Sequence, residues 1–228
     1  MVKKNNKYME ARSLINSKLN NFRNPQYLEI GVRNGETFLS IQTRNKYGVD
    51  PDFFFSKRFL IKSCLSTYNW GFKMYKEKSD TFFNNTIRNI KNFRISVAFI
   101  DGMHTYEQSL NDARNCLKYL EPDGIIIFHD CNPQSEQAAS PEIPSTAINW
   151  NGDVWKTIYH IRGLRDYFEC LTLDDDQGLG LLTVKQEVDQ KILNMLEPNE
   201  EISKLPYKFL NDNRTNIIGL TNHKDYKI

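Results

Sequence analysis

Carboxylates and imidazoles follow two apolar runs of this 228-residue chain, in a pattern that could perform acid–base or metal chemistry. Asp101 ends the first run and is followed three positions later by His104, while His129 and Asp130 end the second run together. Carboxylate and imidazole groups can hold a divalent cation with open positions for a substrate oxygen. Imidazole also has the unperturbed pKa closest to neutrality, so His104 is a candidate general base. We therefore expect Asp101 and His104 as catalytic residues, and Asp101, His129 and Asp130 as metal ligands.

The two apolar runs predict neighbouring parallel strands joined by a helix. Residues 97–100 and 125–128 are continuous apolar segments, as in strands buried on both faces. Between them, residues 106–120 have the periodicity of a helix, which Pro122 and Gly124 then end. Because the carboxyl ends of parallel strands meet at one edge of a sheet, we expect the acids that follow them to face one crevice. The alternative is that each acid caps the next helix and each histidine binds a loop.

A glycine-containing segment, residues 27–37, predicts a ligand-binding turn. Glu29 interrupts a short apolar strand, and Gly31 and Gly35 follow it. Glycine permits a positive φ and lets a ligand approach the backbone closely. Asn34 can cap a helix and the apolar residues that follow have helical spacing, so we expect a helix directly after the turn.

Asp50 ends another short strand, 21 positions after Glu29. This is close to the offset at which nucleotide-binding βαβ units place an acid on ribose hydroxyls. The turn reads G-x-x-x-G, because Arg33 stands where the middle glycine of G-x-G-x-x-G would be. Together the two segments predict an adenosyl ligand without a pyrophosphate. An ordinary βα turn of any α/β protein is the alternative.

The composition is that of a soluble α/β domain with appendages. Apolar residues make up 39% of the chain and charged residues 25%, and the length suffices to bury a core. The net charge is +2, so the overall charge gives no reason to expect nucleic acid or membrane partners. The four cysteines lack C-x-x-C spacing, and no apolar run suits a signal peptide or a membrane helix. We expect a cytoplasmic protein without a zinc knuckle or a disulfide framework.

Periodicity divides the chain into three parts. An amphipathic pattern over residues 8–22 predicts a helical cap formed by residues 1–24. Residues 25–185 hold the predicted strands and end in an antiparallel hairpin over residues 167–184. Residues 186–228 have one helical pattern followed by irregular sequence, and we expect them to pack on the domain or to form a homo-oligomer.

Acids and aromatic residues also occur in the least regular stretch of the chain. The long loop after the second apolar run is expected to shape a substrate pocket, with Asn149 and Trp150 as contacts. Asp153 is expected to cap the next helix. The hairpin turn holds three acids, Asp174 to Asp176, which we expect to be solvated.

Residues 25–185 resemble the class I S-adenosylmethionine (SAM) dependent methyltransferases, through the glycine turn of residues 27–37 and the block of residues 95–131. The likeness is to bacterial O-methyltransferases that act on sugars and related natural products, some of which depend on magnesium. The resemblance implies a Rossmann-like, doubly wound, seven-stranded and mostly parallel α/β sheet that ends in an antiparallel hairpin. It also implies these SAM-binding residues: Glu29, Gly31, Val32, Asn34, Gly35, Asp50, Ser79, Asp80 and Asp101.

The activity that the resemblance implies is methyl transfer from SAM to a hydroxyl of a small molecule, a sugar or natural-product derivative. His104 would take the proton, and Mg²⁺ held by Asp101 and Asp130 would favour the alkoxide. Many metal-dependent relatives carry two acid or amide ligands after the fifth strand, where this chain has His129 and Asp130. One alternative is an NAD-dependent oxidoreductase, against which the missing glycine and the absence of a Y-x-x-x-K pair argue. The other is a non-catalytic module that keeps a nucleotide pocket.

Overall fold

The structure, a computed structural model, describes residues 10–145 and 149–226. Within these residues a single sheet of eight strands has the order β3-β2-β1-β4-β5-β7-β6-β8. The strands are β1 (Tyr27–Ile30), β2 (Lys46–Val49), β3 (Lys73–Tyr75), β4 (Ile95–Ile100), β5 (Leu120–Phe128), β6 (Phe168–Leu173), β7 (Leu179–Val184) and β8 (Leu220–Thr221). Strands β1 to β5 are parallel, and β7 is antiparallel to both β5 and β6. The predicted α/β class, the mostly parallel sheet and the C-terminal hairpin are confirmed.

The sheet has one strand more than the seven predicted. β8 pairs in parallel with β6, through Thr172 with Leu220 and Leu173 with Thr221. It is two residues long and lacks an apolar run of its own, so no sequence pattern predicts it. It forms because the outer edge of β6 would otherwise present unpaired backbone groups.

Helices flank the sheet throughout the described residues. They are α1 (Ala11–Leu19), α2 (Lys57–Ser63), α3 (Ser79–Thr81), α4 (Tyr106–Leu117), α5 (Trp155–Gly163), α6 (Gln190–Asn194), α7 (Glu200–Ser203), α8 (Tyr207–Asp212) and α9 (Arg214–Ile218). α1 lies inside the helix predicted for residues 8–22, of which residues 8 and 9 fall outside the described part. A search of the described helices finds none with the length and apolarity needed to cross a membrane.

Both faces of the sheet are covered, because successive strand residues point to opposite faces. On one face, Leu28 and Ile100 pack into a core with α4, α5 and the C-terminal helices. On the other face, Tyr27 and Phe99 pack into a core with α1. Every residue of β1 and β4 is buried, which explains why apolar residues predominate in both strands.

The helix expected after the glycine turn is absent, and that prediction is wrong. Residues Phe38–Ser40 form a 3₁₀ turn instead. The buried ammonium of Lys46 donates hydrogen bonds to the carbonyl oxygens of Phe38 and Ile41, both at 2.9 Å. These bonds satisfy carbonyls that a helix would have paired internally. Asn34 is exposed, and its side chain accepts a hydrogen bond from the backbone N–H two residues later at 3.1 Å, so it forms a local turn and caps no helix.

Asp153 does not cap α5, contrary to the prediction. Its carboxylate accepts a hydrogen bond from the backbone N–H of Tyr106 at 2.7 Å, in the first turn of α4. It also pairs with the ammonium of Lys156 at 3.0 Å. Asp153 therefore ties the loop before α5 to the start of α4, next to the strand ends that carry the predicted chemistry.

Candidate functional site

The register of the parallel strands brings predicted residues into one row at the carboxyl edge of the sheet. Ile30 is paired with Val49 on one side and with Ile100 on the other, and Ile100 is paired with Phe128. The residues that directly follow these four positions are Gly31, Asp50, Asp101 and His129. The common edge that the sequence predicts is therefore present.

A cleft of about 380 Å³ opens beside this row. It is lined by Glu10, Ala11, Arg12, Glu36, Thr37, Phe99, Asp101, His129 and Asp176. The lining combines the N-terminal segment, the glycine turn, the ends of β4 and β5, and the turn of the β6–β7 hairpin. The cleft thus joins the predicted ligand-binding turn to the acids at the strand ends.

Two carboxylates and two imidazoles form a contact network at the ends of β4 and β5, and we call these four residues the acid–imidazole cluster. Asp101 Oδ1 lies 3.3 Å from His104 Nε2 and 3.3 Å from His129 Nδ1. Asp130 Oδ2 lies 3.3 Å from His104 Nδ1 and 3.1 Å from His129 Nδ1. All four residues were singled out from the sequence, and the structure brings all four together.

The backbone of Asp130 has a left-handed conformation, with φ of 61°. This conformation costs energy for a residue with a side chain, although Asp and Asn tolerate it better than most. It turns the carboxylate back towards the cluster, where the amide of Asn151 donates a hydrogen bond to Asp130 Oδ1 at 2.6 Å. Asn151 therefore fixes the orientation of a carboxylate that belongs to the end of β5.

The long loop after β5 also folds onto His104. The indole ring of Trp150 stacks on the imidazole ring of His104, with centroids 5.0 Å apart and an angle of 22° between planes. Gly152 follows with φ of 64°, and a Cβ at this position would overlap the carbonyl oxygen of His104. Trp150 was expected to contact a substrate, and it forms a wall beside the candidate base. Asn149 is exposed.

Mutual contacts determine the charges of the cluster. Burial alone would raise the pKa of Asp101, but hydrogen bonds from His104 and His129 outweigh it and lower the pKa to about 2. Burial alone would lower the pKa of His104, but the carboxylates of Asp101 and Asp130 raise it overall. Burial alone would also lower the pKa of His129, but hydrogen bonds to the carboxylates of Asp101, Asp130 and Asp176 outweigh it and raise the pKa far above its usual range. His129 is therefore a cation at neutral pH, placed among carboxylates.

Asp176, in the β6–β7 turn, is the residue of this site that sequence reasoning missed. Its Oδ2 accepts a hydrogen bond from the backbone N–H of Ala11 at 2.8 Å, and its Oδ1 lies 3.6 Å from His129 Nε2. Of its neighbours, Asp174 is exposed, as expected, whereas Asp175 is buried. The side-chain amide of Asn132 donates to Asp174 at 2.9 Å, and buried Asp175 pairs with a histidine of the C-terminal segment.

The topology contains a clue to this position of Asp176. β7 runs antiparallel to β5, and Phe128 is paired with Gly180. The turn that precedes β7 must therefore lie at the carboxyl edge of β5, beside the cluster. A predicted hairpin next to the fifth strand would have sufficed to place its turn acids there.

The glycines of the turn are required by their surroundings. Gly31 has φ of 87°, and a Cβ there would overlap the backbone carbonyl of Asp101. Gly35 has φ of 78°, and a Cβ there would overlap the ring of Phe55. Val32 is buried in the core, so only its backbone can face a ligand. The glycines therefore allow the turn to pack closely on the end of β4 and on Phe55, and the binding of a ligand at this turn stays a prediction.

The two acids assigned to this half of the edge are engaged with the protein itself. Glu29 is almost completely buried and accepts a hydrogen bond from the hydroxyl of Tyr27, and burial raises the pKa of Glu29 to about 8. It is absent from the cleft lining described above. Asp50 accepts hydrogen bonds from the backbone N–H groups of Arg33 and Asp52, both at 2.8 Å. Asp50 therefore holds the glycine turn in shape.

Ser79 and Asp80, the predicted adenine-side contacts, lie at the end of β3 and are connected to α4. Asp80 Oδ1 accepts a hydrogen bond from the side chain of Asn111 at 2.6 Å. Ser79 is buried, and Gln108 Nε2 lies 3.3 Å from its hydroxyl. Asp80 itself lies inside α3, whose N-cap residue is Lys78.

The residues that could hold a metal ion differ by one from those expected. The ligand atoms of Asp101, His104 and Asp130 all lie within 4.8 Å of one another. His129 was expected in this set and His104 as a base outside it.

Comparison with known proteins places this site in context. The sequence model of a family described as a methyltransferase domain matches residues 28–131, which include the glycine turn and the whole acid–imidazole cluster. No curated protein sequence matches the chain.

Several solved structures share the fold. An O-methyltransferase from Bacillus cereus in complex with SAH is 15% identical, with a TM-score of 0.52 over 76% of this chain and 78% of that one. A putative O-methyltransferase from Klebsiella pneumoniae is 12% identical, with a TM-score of 0.57 over 78% and 82%. The O-methyltransferase TomG from Streptomyces achromogenes, solved with SAM, is 12% identical, with a TM-score of 0.51 over 77% and 78%. At these identities the likeness establishes the fold.

Proposed function

We propose that this chain is a class I SAM-dependent methyltransferase, and that it transfers the methyl group of SAM to a hydroxyl of a small molecule, a sugar or natural-product derivative. The observation that carries the proposal is the meeting of Asp101, His104 and Asp130 within 4.8 Å of one another at the edge that also holds the glycine turn. A cytoplasmic location, expected from the sequence, belongs to the same proposal.

The residues at the glycine turn fit SAM. Gly31 and Gly35 let the turn pack directly against the Asp101 backbone and the Phe55 ring, where any Cβ would collide, and Glu36 and Thr37 carry the turn into the wall of the cleft. Bound SAM supplies a methyl group on a positively charged sulfur. Asp101 and Asp176 line the same cleft, and their carboxylates suit that charge. The turn would bind the adenosyl part through backbone groups, as the G-x-x-x-G spacing predicts.

His104 is the proposed base. It lies between Asp101 and Asp130, whose oxygens are each 3.3 Å from one of its ring nitrogens. For His104 to take the proton of the acceptor hydroxyl, one of these two carboxylate contacts must open, and the remaining carboxylate then stabilises the imidazolium that forms. Trp150 stacks on the ring and restrains its orientation. Holding the acceptor oxygen in line with the methyl group would supply much of the remaining rate.

The cluster also fits a divalent cation. Asp101 and Asp130 would hold Mg²⁺ through carboxylate oxygens, and His104 would then be the third donor in place of acting as the base. Such an ion would lower the pKa of a hydroxyl bound beside it. Asn151 supports this assignment, because its hydrogen bond to Asp130 Oδ1 leaves Oδ2 directed to the cluster.

Hydroxyl methylation is favoured over other methyl transfers by the base and by the fold relatives. An alcohol must lose its proton during transfer, and the cluster offers a base where the acceptor would lie. Three of the fold relatives described above are called O-methyltransferases, and TomG is described as involved in tomaymycin synthesis, which supports a natural-product acceptor.

Two measurements test the proposal. Calorimetry should show binding of SAM and SAH and no binding of NAD. Release of SAH should then appear with some members of a panel of hydroxylated sugars and natural products, with and without Mg²⁺. The double variant His104→Ala plus Asp101→Ala should fail to release SAH, and the loss of the Asp101 carboxylate should weaken its binding of SAM. NAD binding in place of SAM would exclude the proposed function, and full methyl transfer by the double variant would exclude the roles proposed for His104 and Asp101.

A further inference from the structure

A second surface lies outside the cleft, on the segment that follows β2. Seven large apolar side chains are exposed among the described residues, and five of them fall within residues 54–70. They are Phe54, Ile61, Leu65, Tyr68 and Trp70, with exposures between 42 and 83%. α2, inside this segment, has no buried residue. We call the exposed side chains of residues 54–70 the α2 surface.

Three apolar residues of the α2 surface lie at the C-terminal end of α2. Ile61 is in the last turn of α2 and Leu65 is in the turn that directly follows it, and both are exposed. The indole Nε1–H of Trp70 donates a hydrogen bond to the carbonyl oxygen of Cys64 at 2.9 Å, and this bond holds the Trp70 ring against the end of α2. Exposed apolar side chains that cluster in this way mark an interaction site.

The same surface carries a concentrated positive charge. Residues 54–70 contain three Lys or Arg and no Asp or Glu, whereas the whole chain has a net charge of only +2. The rest of the molecule is therefore net negative. Lys57, Arg58 and Lys62 are exposed beside Ile61 and Leu65, and within the described residues none of these three bases is in an ion pair. A partner for this surface must combine an apolar interior with negative charge.

A second copy of the chain does not meet this requirement. A twofold dimer places the same patch of each subunit against the other, so the bases of α2 would face identical bases. An anionic lipid surface does meet it, because headgroup phosphates attract Lys and Arg while the acyl boundary accepts Trp, Ile and Leu.

We propose that the α2 surface binds anionic membranes, with Ile61, Leu65 and Trp70 inserted at the headgroup level and the bases of α2 on the lipid phosphates. The segment of residues 54–70 is connected to the glycine turn, because the backbone N–H of Phe54 donates a hydrogen bond to the carbonyl oxygen of Arg33 at 2.8 Å. A membrane bound here would lie next to the proposed SAM site.

Vesicle sedimentation with the full chain tests the proposal. The protein should sediment with vesicles of phosphatidylcholine mixed with phosphatidylserine, and much less with phosphatidylcholine alone. Ile61→Asp should reduce vesicle binding about tenfold or more. It removes an apolar side chain that would insert into the membrane, and it adds a negative charge that the anionic headgroups repel. Lys57→Gln with Lys62→Gln should reduce it about 30-fold, at roughly a factor of five for each lost base.

Matched controls separate this surface from unspecific effects. Ile143, exposed by 74% against 72% for Ile61, lies outside the surface, so Ile143→Asp should bind vesicles as the unmodified protein does. Lys204→Gln with Lys208→Gln removes the same number of charges from α7 and α8 and should change binding by less than about threefold. Equal binding to neutral and anionic vesicles, no binding, or unchanged binding by Ile61→Asp would overturn the proposal. Conversion of a dimer to a monomer by Ile61→Asp in analytical ultracentrifugation would assign the surface to self-association instead.

Discussion

The carboxyl edge of the sheet contains two regions that are built in different ways. The glycine turn, between β1 and β2, is shaped by backbone conformation and backbone hydrogen bonds. Gly31 has φ of 87°, and Asp50 accepts a hydrogen bond from the N–H of Arg33. The residues that shape it lie within about twenty positions of one another. The acid–imidazole cluster is built from side chains, and residues as distant as Ala11 and Asp176 complete its surroundings. An added side chain therefore disrupts the glycine turn as a whole, whereas removal of one side chain from the acid–imidazole cluster removes only the function of that side chain.

The largest effect is expected at the turn. Gly31→Ala should destabilise the protein by about 4 kcal/mol or more and abolish SAM binding, because the new Cβ overlaps the Asp101 carbonyl in a strained conformation. Urea unfolding and calorimetry measure the two effects. Gly163→Ala is the control, since a Cβ there meets nothing within 4 Å, and stability should stay within about 1 kcal/mol. Similar losses for both variants would mean that the turn has no special need for glycine.

The next largest effect separates catalysis from cofactor binding. His104→Gln should lower kcat by about 10²- to 10⁴-fold, the usual contribution of a general base, while the Kd for SAM changes by only a few fold. His160→Gln is the control, because His160 is a half-buried histidine bonded to Tyr106 and Met195 outside the cluster. It should leave kcat within about twofold. A joint loss of SAM binding and kcat in His104→Gln would contradict the division into two regions.

A third effect concerns Asp112, a buried acid next to Ser79 and Asp80, which were predicted to contact the adenine. Burial raises the pKa of Asp112 to about 7, in spite of hydrogen bonds from Ser79 and Gln108. A raised pKa in the folded state means that the folded protein prefers the protonated carboxyl. The contribution of Asp112 to the free energy of unfolding is therefore highest near pH 4 and falls as the pH rises to about 7. Asp112→Asn should remove this fall, gaining about 2 to 4 kcal/mol over the unmodified protein at pH 8 and little at pH 4. Parallel stability curves for both proteins between pH 4 and 8 would refute the assignment.

The smallest effect is expected at the hairpin turn. Asp176→Ala removes the acceptor for the Ala11 N–H, and should destabilise the N-terminal segment by about 1 to 2 kcal/mol. Hydrogen exchange at the Ala11 amide should accelerate accordingly. Asp174→Ala is the matched control from the same turn, because Asp174 binds Asn132 instead. It should leave the Ala11 exchange rate unchanged.

The same contrast explains which parts of the site could be predicted. The turn was readable because glycines and the acid about twenty positions later form a local pattern. The cluster was readable in part, because Asp101 and Asp130 directly follow apolar strands. Asp176 was missed because turn acids look alike whether they are solvated or turned towards a site. The helix after the turn was predicted wrongly, because no pattern shows that Lys46 would bond the carbonyls of the following residues.

The α2 surface shows the limit of composition as a guide. The overall charge of +2 gave no reason to expect a membrane partner. Ile61 and Leu65 have the spacing of a buried helix face, and that spacing cannot distinguish the core from solvent. Only the exposure of the whole face, beside unpaired bases, indicates a partner.

By itself the sequence determined the α/β class, the parallel strands, the hairpin and the glycine turn, because each depends on short-range periodicity or on the backbone freedom of single residues. Tertiary structure alone decided the eighth strand, the charge of His129 and the arrival of Asp176 and Asn151 at the cluster. Those features depend on strand edges and carboxylates that meet only after the sheet has formed, and burial then changes the free energy of every charge brought together there.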